Sequence, residues 1–135
     1  VDQSPCPRLI FMGHNGPTGL GAKPTDIWGC DFKRGGGDWG DPDLRAAVDH
    51  ARASGREVLA VVAGHMHRMT KQGKARTWHV TQDHVHYVNA AQVPRIFKRD
   101  GKRVRHHVRL TINDAGCRVE DMFIPDKVEV TAGTS

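Results

Sequence analysis

Arg8 to Met12 (RLIFM) is a short apolar run bounded by Pro7 and Gly13, and it predicts a buried strand. The next strong apolar run, Glu57 to Ala63 (EVLAVVA), is continuous and rich in β-branched residues rather than alternating. That is the pattern of a central parallel strand covered on both faces. Between them, residues 14 to 40 predict a long loop, since GPTGLG and the triplet Gly35-Gly36-Gly37 are costly inside a helix or strand. Trp28, Phe32 and Trp39 argue that this loop packs. The segment DPDLRAAVDHARASG predicts a helix over about residues 42 to 54. Asp41 is placed to cap it, Pro42 suits its first position, and Leu44, Ala47, Val48 and Ala51 form one apolar stripe. Gly55 suits its end.

Strand, helix, strand is a βαβ unit, so the two strands should run parallel with their carboxyl ends on one edge of a sheet. The pattern then turns to strands alone. ARTWHV, HVHYVNA, a pair of arms around Asp100-Gly101, and CRVEDMFI after Asn113-Asp114-Ala115-Gly116 each predict β-structure. On the second arm Val104, His106, Val108, Leu110 and Ile112 share one face, and Arg103, Arg105, His107 and Arg109 the other. From about Asp126 onward the composition predicts a loosely held tail. The fold class is therefore α/β, a βαβ core followed by antiparallel strands.

Composition narrows the class further. A chain of 135 residues with 38% hydrophobic residues and 15 glycines fits one globular domain rather than a collagen-like or disordered chain. No apolar run approaches the roughly 20 residues of a membrane helix, so no membrane role is expected. Cys6, Cys30 and Cys117 are odd in number, widely spaced and without CxxC, which favours a reducing compartment over a disulfide framework. The chain opens VDQSPCPRLIFMG, with no initiator Met or signal-peptide pattern before the first strand. The expectation is the C-terminal part of a longer chain. Residues 68 to 109 hold eleven Lys and Arg against Asp83 and Asp100, which singles out a basic β-rich region. Its core is RIFKRDGKRVRHHVR, where a hairpin at Asp100-Gly101 would set Lys98 against Arg103 and Arg99 against Lys102.

Nine histidines outnumber the eight Phe, Trp and Tyr residues together, and metal ligation is the obvious use for the excess. GHMH (Gly64 to His67) follows the apolar strand directly, and His14 holds the matching place after RLIFMG. An extended backbone through GHMH would point His65 and His67 the same way, and parallel neighbouring strands would bring His14 to them. His84 and His86 in DHVHYV offer a second pair on one strand face, with a solvated face as the alternative. Asp41 in GDWGD is best read as the helix cap.

Strand, His, long insertion, helix, apolar strand, GHxH and a run of antiparallel strands together resemble the C-terminal half of the calcineurin-like metallophosphoesterase superfamily. GHNGPTGLG, GGGDWGDPDL and NAAQVPRI are similar to a subfamily of cyanobacteria and plastids. The resemblance spans about residues 7 to 125 and implies a two-sheet sandwich, with residues 1 to 125 as the C-terminal portion of the domain. It implies metal-dependent phosphoester hydrolysis by the full-length protein, using two divalent metal ions (Mn, Fe or Zn), with His14, His65 and His67 as ligands. The family motifs D-x-H, G-D-x-x-D and G-N-H-[DE] would precede His14, so the N-terminal half of the same domain becomes an implied partner beside the phosphoester substrate. Asn15 and Arg95 are the candidate phosphate contacts. The implied setting is bacterial cytoplasm or, in a photosynthetic eukaryote, plastid stroma. The competing class is a basic β-rich nucleic-acid or anion binding module.

Overall fold

A computed structural model describes residues 1 to 125. The tail predicted from Asp126 onward lies outside the described residues. The fold is mixed α/β, with two sheets and one helix among the described residues. The chain divides into two compact units, with the boundary between Ala91 and Gln92.

The first unit contains β1 (Arg8–Met12), α1 (Pro42–Ala53), β2 (Glu57–Ala63), β3 (His79–Gln82) and β4 (Val85–Asn89). Its sheet has the order β1-β2-β4-β3. β2 runs parallel to β1 on one side and to β4 on the other, and β3 closes on β4 in an antiparallel pair. The continuous apolar pattern of β2 thus corresponds to a central strand, with Val58 to Val61 and Ala63 all buried. β1 differs from the fully buried strand expected of RLIFM. Among the described residues it has only β2 beside it, and Ile10 and Met12 are 38% and 81% exposed. A short apolar run does not by itself tell a central strand from an edge.

The helix starts as its sequence dictates. Asp41 accepts hydrogen bonds from the Asp43 and Leu44 N–H groups at 2.8 and 3.4 Å, and Pro42 sits in the first turn. Val48 and Ala51 turn inward and join Ile27, Trp28, Val58, Val61, Val85 and Tyr87 in one apolar core. The loop from 13 to 41 forms neither helix nor named strand, yet it packs: Ile27, Trp28 and Cys30 are buried. Gly16 is required there, since a Cβ would run into the Trp28 ring.

The second unit holds β5 (Ile96–Arg99), β6 (Lys102–Asn113) and β7 (Gly116–Pro125), an antiparallel sheet in that order. Asp100 and Gly101 both have positive φ, as a two-residue hairpin turn demands, and Lys98 faces Arg103 and Arg99 faces Lys102. Along β6 the alternation expected from the sequence holds: Val104 and His106 are buried, whereas Arg103, Arg105, His107 and Arg109 are exposed. No helix among the described residues is long and apolar enough to cross a membrane.

Candidate metal centre

Because β1 and β2 are parallel neighbours, the residues that follow them leave the sheet on the same edge. Their pairing continues past the strand ends, with the Gly13 N–H donating to Val62 O (3.0 Å) and the Gly64 N–H to His14 O (2.9 Å). These two bonds bring His14 and His65 together although 51 positions separate them. His14 Nε2 lies 3.1 Å from His65 Nδ1, and the ring centroids are 4.8 Å apart. Both residues are exposed.

The extended backbone expected through GHMH is not what forms. His65 has φ +73°, so the chain turns at that residue, and Met66 rather than a histidine is driven into the core at 4% exposure. His67 emerges exposed beyond it and shares a cleft of about 190 Å³ with His65, Asp31, Phe32, Met69 and Lys71. His14 and His65 are thus joined directly, whereas His67 only shares the cleft with His65. Among the described residues no three His, Cys, Asp or Glu side chains are grouped so as to hold a metal ion.

The turn is held by buried polar residues that the sequence pattern did not single out. Asn89, fully buried at the end of β4, donates through Nδ2 to Met66 O (2.6 Å) and Ile27 O (3.1 Å), and its Oδ1 accepts from the Ala91 N–H (3.0 Å). Arg76, 4% exposed, donates to His67 O (2.8 Å), Gly29 O (2.6 Å) and Asp26 O (2.9 Å). Its Nη2 lies 3.3 Å from Asp31 Oδ1, an ion pair without hydrogen-bond alignment. Burial pulls the Arg76 pKa below its ordinary value, and Asp31 acts against that shift. Trp28 Nε1 donates to Gly64 O (3.0 Å). Every carbonyl from Gly64 to His67 except that of His65 is therefore held by a named donor: Gly64 by Trp28 and the Met66 N–H, Met66 by Asn89, His67 by Arg76. Asn89 left the trace of a polar residue closing an apolar run and Trp28 that of a packing aromatic, whereas Arg76 left none.

Asn15 is committed to the loop: its Nδ2 donates to Trp39 O (2.7 Å) and its Oδ1 accepts from the Gly16 N–H (3.0 Å). This accounts for it as a turn residue. Arg95 is exposed in the second unit, and its carbonyl accepts from the His106 N–H (2.8 Å). The expected pair of His84 and His86 on one strand face does not form. Asp83 and His84 are the two turn residues between β3 and β4, both with positive φ, and His86 pairs with His79 instead. Burial, with a smaller push from His86, holds the His79 pKa below its ordinary value. His106, buried on β6, lies 2.7 Å from Asp121 Oδ1.

Two imidazole nitrogens bound to one ion at about 2.0 to 2.1 Å stand about 2.9 Å apart at a right angle and about 3.4 Å apart at the tetrahedral angle. The 3.1 Å between His14 and His65 falls within that range. Imidazole also suits Zn, Fe and Mn better than Mg or Ca. The spacing of these two nitrogens is thus that of two ligands on one such ion. No protein-family model, curated protein or solved structure matches the chain.

Proposed function

We propose that this chain supplies the histidine-bearing portion of a calcineurin-like metallophosphoesterase centre. The observation that carries the reading is the meeting of His14 Nε2 and His65 Nδ1 at 3.1 Å where two parallel strands end. On this reading the chain belongs to a domain completed by its N-terminal half, in a bacterial cytoplasm or plastid stroma. A pair of divalent ions there, Mn, Fe or Zn, would lower the pKa of bound water and polarise the phosphoryl oxygens for in-line attack.

The chain's own residues have narrower tasks. To offer lone pairs at the facing nitrogens, His14 must carry its proton on Nδ1 and His65 on Nε2. His67 lines the adjoining cleft and joins the ligand set from there. Arg76, Asn89 and Trp28 fix the backbone on which the rings stand. Lys71, at the cleft rim, attracts an anionic substrate.

The test is Zn(II) and Mn(II) titration of the chain by calorimetry. The stoichiometry of binding should fall in both His14→Ala and His65→Ala, with circular dichroism showing an intact fold. Equal metal binding in the wild type and both variants would sink the reading. The chain alone should not hydrolyse a phosphodiester at a useful rate, because D-x-H and G-N-H-[DE] are missing from it and its G-D-x-x-D match, Gly37 to Asp41, falls after His14, out of family order.

A second reading, nucleic-acid binding, draws support from the hairpin register, which sets Lys98 against Arg103 and Arg99 against Lys102. Like charges directly opposed cost stability that a phosphate backbone would recover. Replacing all four should then lower the salt dependence of duplex binding by about 0.9 in log-log slope per lost contact. Weak binding, unchanged by the substitution, favours the metal centre as the primary function.

A further inference from the structure

The β3–β4 hairpin carries a second pair of imidazoles. Thr81 faces His86 and His79 faces Val88 in the antiparallel register, so His79 and His86 are diagonal neighbours on the face they share with Thr81. Such neighbours are within reach of long side chains. His79 Nε2 lies 2.8 Å from His86 Nδ1, and the two rings stack with centroids 5.1 Å apart and planes inclined by 22°. Thr81 Oγ1 approaches the same nitrogen of His86 at 3.5 Å. A turn of only two residues, Asp83 and His84, closes the hairpin, so the backbone fixes both rings without the intervention of a long loop.

We propose that His79 and His86, with Thr81 beside them, form a second and mononuclear transition-metal site, suited to Cu(II) or Ni(II). The reasoning rests on the separation of the two donors. Two nitrogens bound at about 2.0 Å stand about 2.8 Å apart when they are adjacent corners of a square, and farther apart in a tetrahedron. A separation of 2.8 Å therefore favours the ions with tetragonal preference. Without metal, one proton lies between the facing nitrogens. Binding moves that proton rather than releasing it: His79 keeps its proton on Nδ1 and His86 on Nε2, and the two freed lone pairs go to the ion. Among the described residues no third His, Cys, Asp or Glu joins the pair. Two protein nitrogens with solvent in the remaining positions make an open, exchangeable site. This inference does not rest on the phosphoesterase reading.

Cu(II) titration of the full chain decides it, followed by electron paramagnetic resonance for nitrogen coupling and by paramagnetic broadening of backbone amides. The background is the double variant His14→Ala/His65→Ala, which removes the other pair. A two-nitrogen copper signal should persist there, with broadening centred on residues 79 to 86. It should disappear when His86→Ala is added and again when His79→Gln is added, a substitution that keeps a polar side chain on the half-buried strand. Copper binding of equal stoichiometry after either addition, or broadening centred elsewhere, would overturn the proposal.

Discussion

The two histidine pairs are built by opposite means. His79 and His86 are seven positions apart and meet through strand register alone, so two residues of turn and four ladder positions suffice. His14 and His65 are 51 positions apart and meet through a parallel crossover, a long packed loop and three buried donors, Trp28, Arg76 and Asn89. Local pairing is robust because little has to be right for it to form. Long-range pairing is only as good as its supports, and its failure should travel with theirs.

The sharpest way to break the comparison is Arg76→Met. It leaves the Gly29 and His67 carbonyls without their donor, Asp26 O with only the Gly29 N–H, and Asp31 without its cation, and a loss of about 3 to 5 kcal/mol in denaturant unfolding is expected. Trp28→Phe keeps the ring but removes the donor to Gly64 O, for about 1 to 3 kcal/mol. Metal affinity at His14 and His65 should fall in that variant, while the contact between His79 and His86, followed by imidazole NMR, stays as it was. An equal disturbance of both pairs would show that they are not independently built. In the other direction, His84→Gly relieves a positive φ in the hairpin turn and should raise stability by about 0.5 kcal/mol, with the His14 and His65 resonances unmoved.

The smallest effect is one of pH. Burial lowers the His79 pKa in the folded chain, so as pH falls below the ordinary 6.5 the unfolded chain takes up a proton that the folded chain resists. Stability should therefore be full above that value and decline as pH falls through the folded-state pKa. His79→Gln should flatten this part of the profile relative to wild type. An unchanged slope would mean that other groups carry it.

How far the sequence was legible follows the same division. The bounds of RLIFM and EVLAVVA match β1 and β2, and α1 ends one residue short of expectation, because these segments carry their own apolar and capping signals. Parallel neighbours after a βαβ pattern brought His14 to His65, as that topology requires. What periodicity missed were side chains whose partners are backbone carbonyls far along the chain. Arg76 stands in ARTWHV like any surface cation, yet it is drawn in toward Asp26 and Gly29, and β3 accordingly begins at His79 rather than at Ala75. The His79 and His86 pair escaped notice because its turn, Asp83-His84, contains no glycine. His84 consequently belongs to the turn and not to the strand.

His65 holds φ +73°, a conformation in which glycine would rest more easily than any residue with a side chain. The fold would gain by giving that position up, and the proposed metal centre would lose a ligand. His65→Gly is accordingly expected to yield a chain at least as resistant to heat and unable to bind metal through His14. Selection for durability alone would drive this position toward glycine, and selection for chemistry would drive it back. A library sorted first for thermal tolerance and then for metal uptake would separate these two pressures at a single residue.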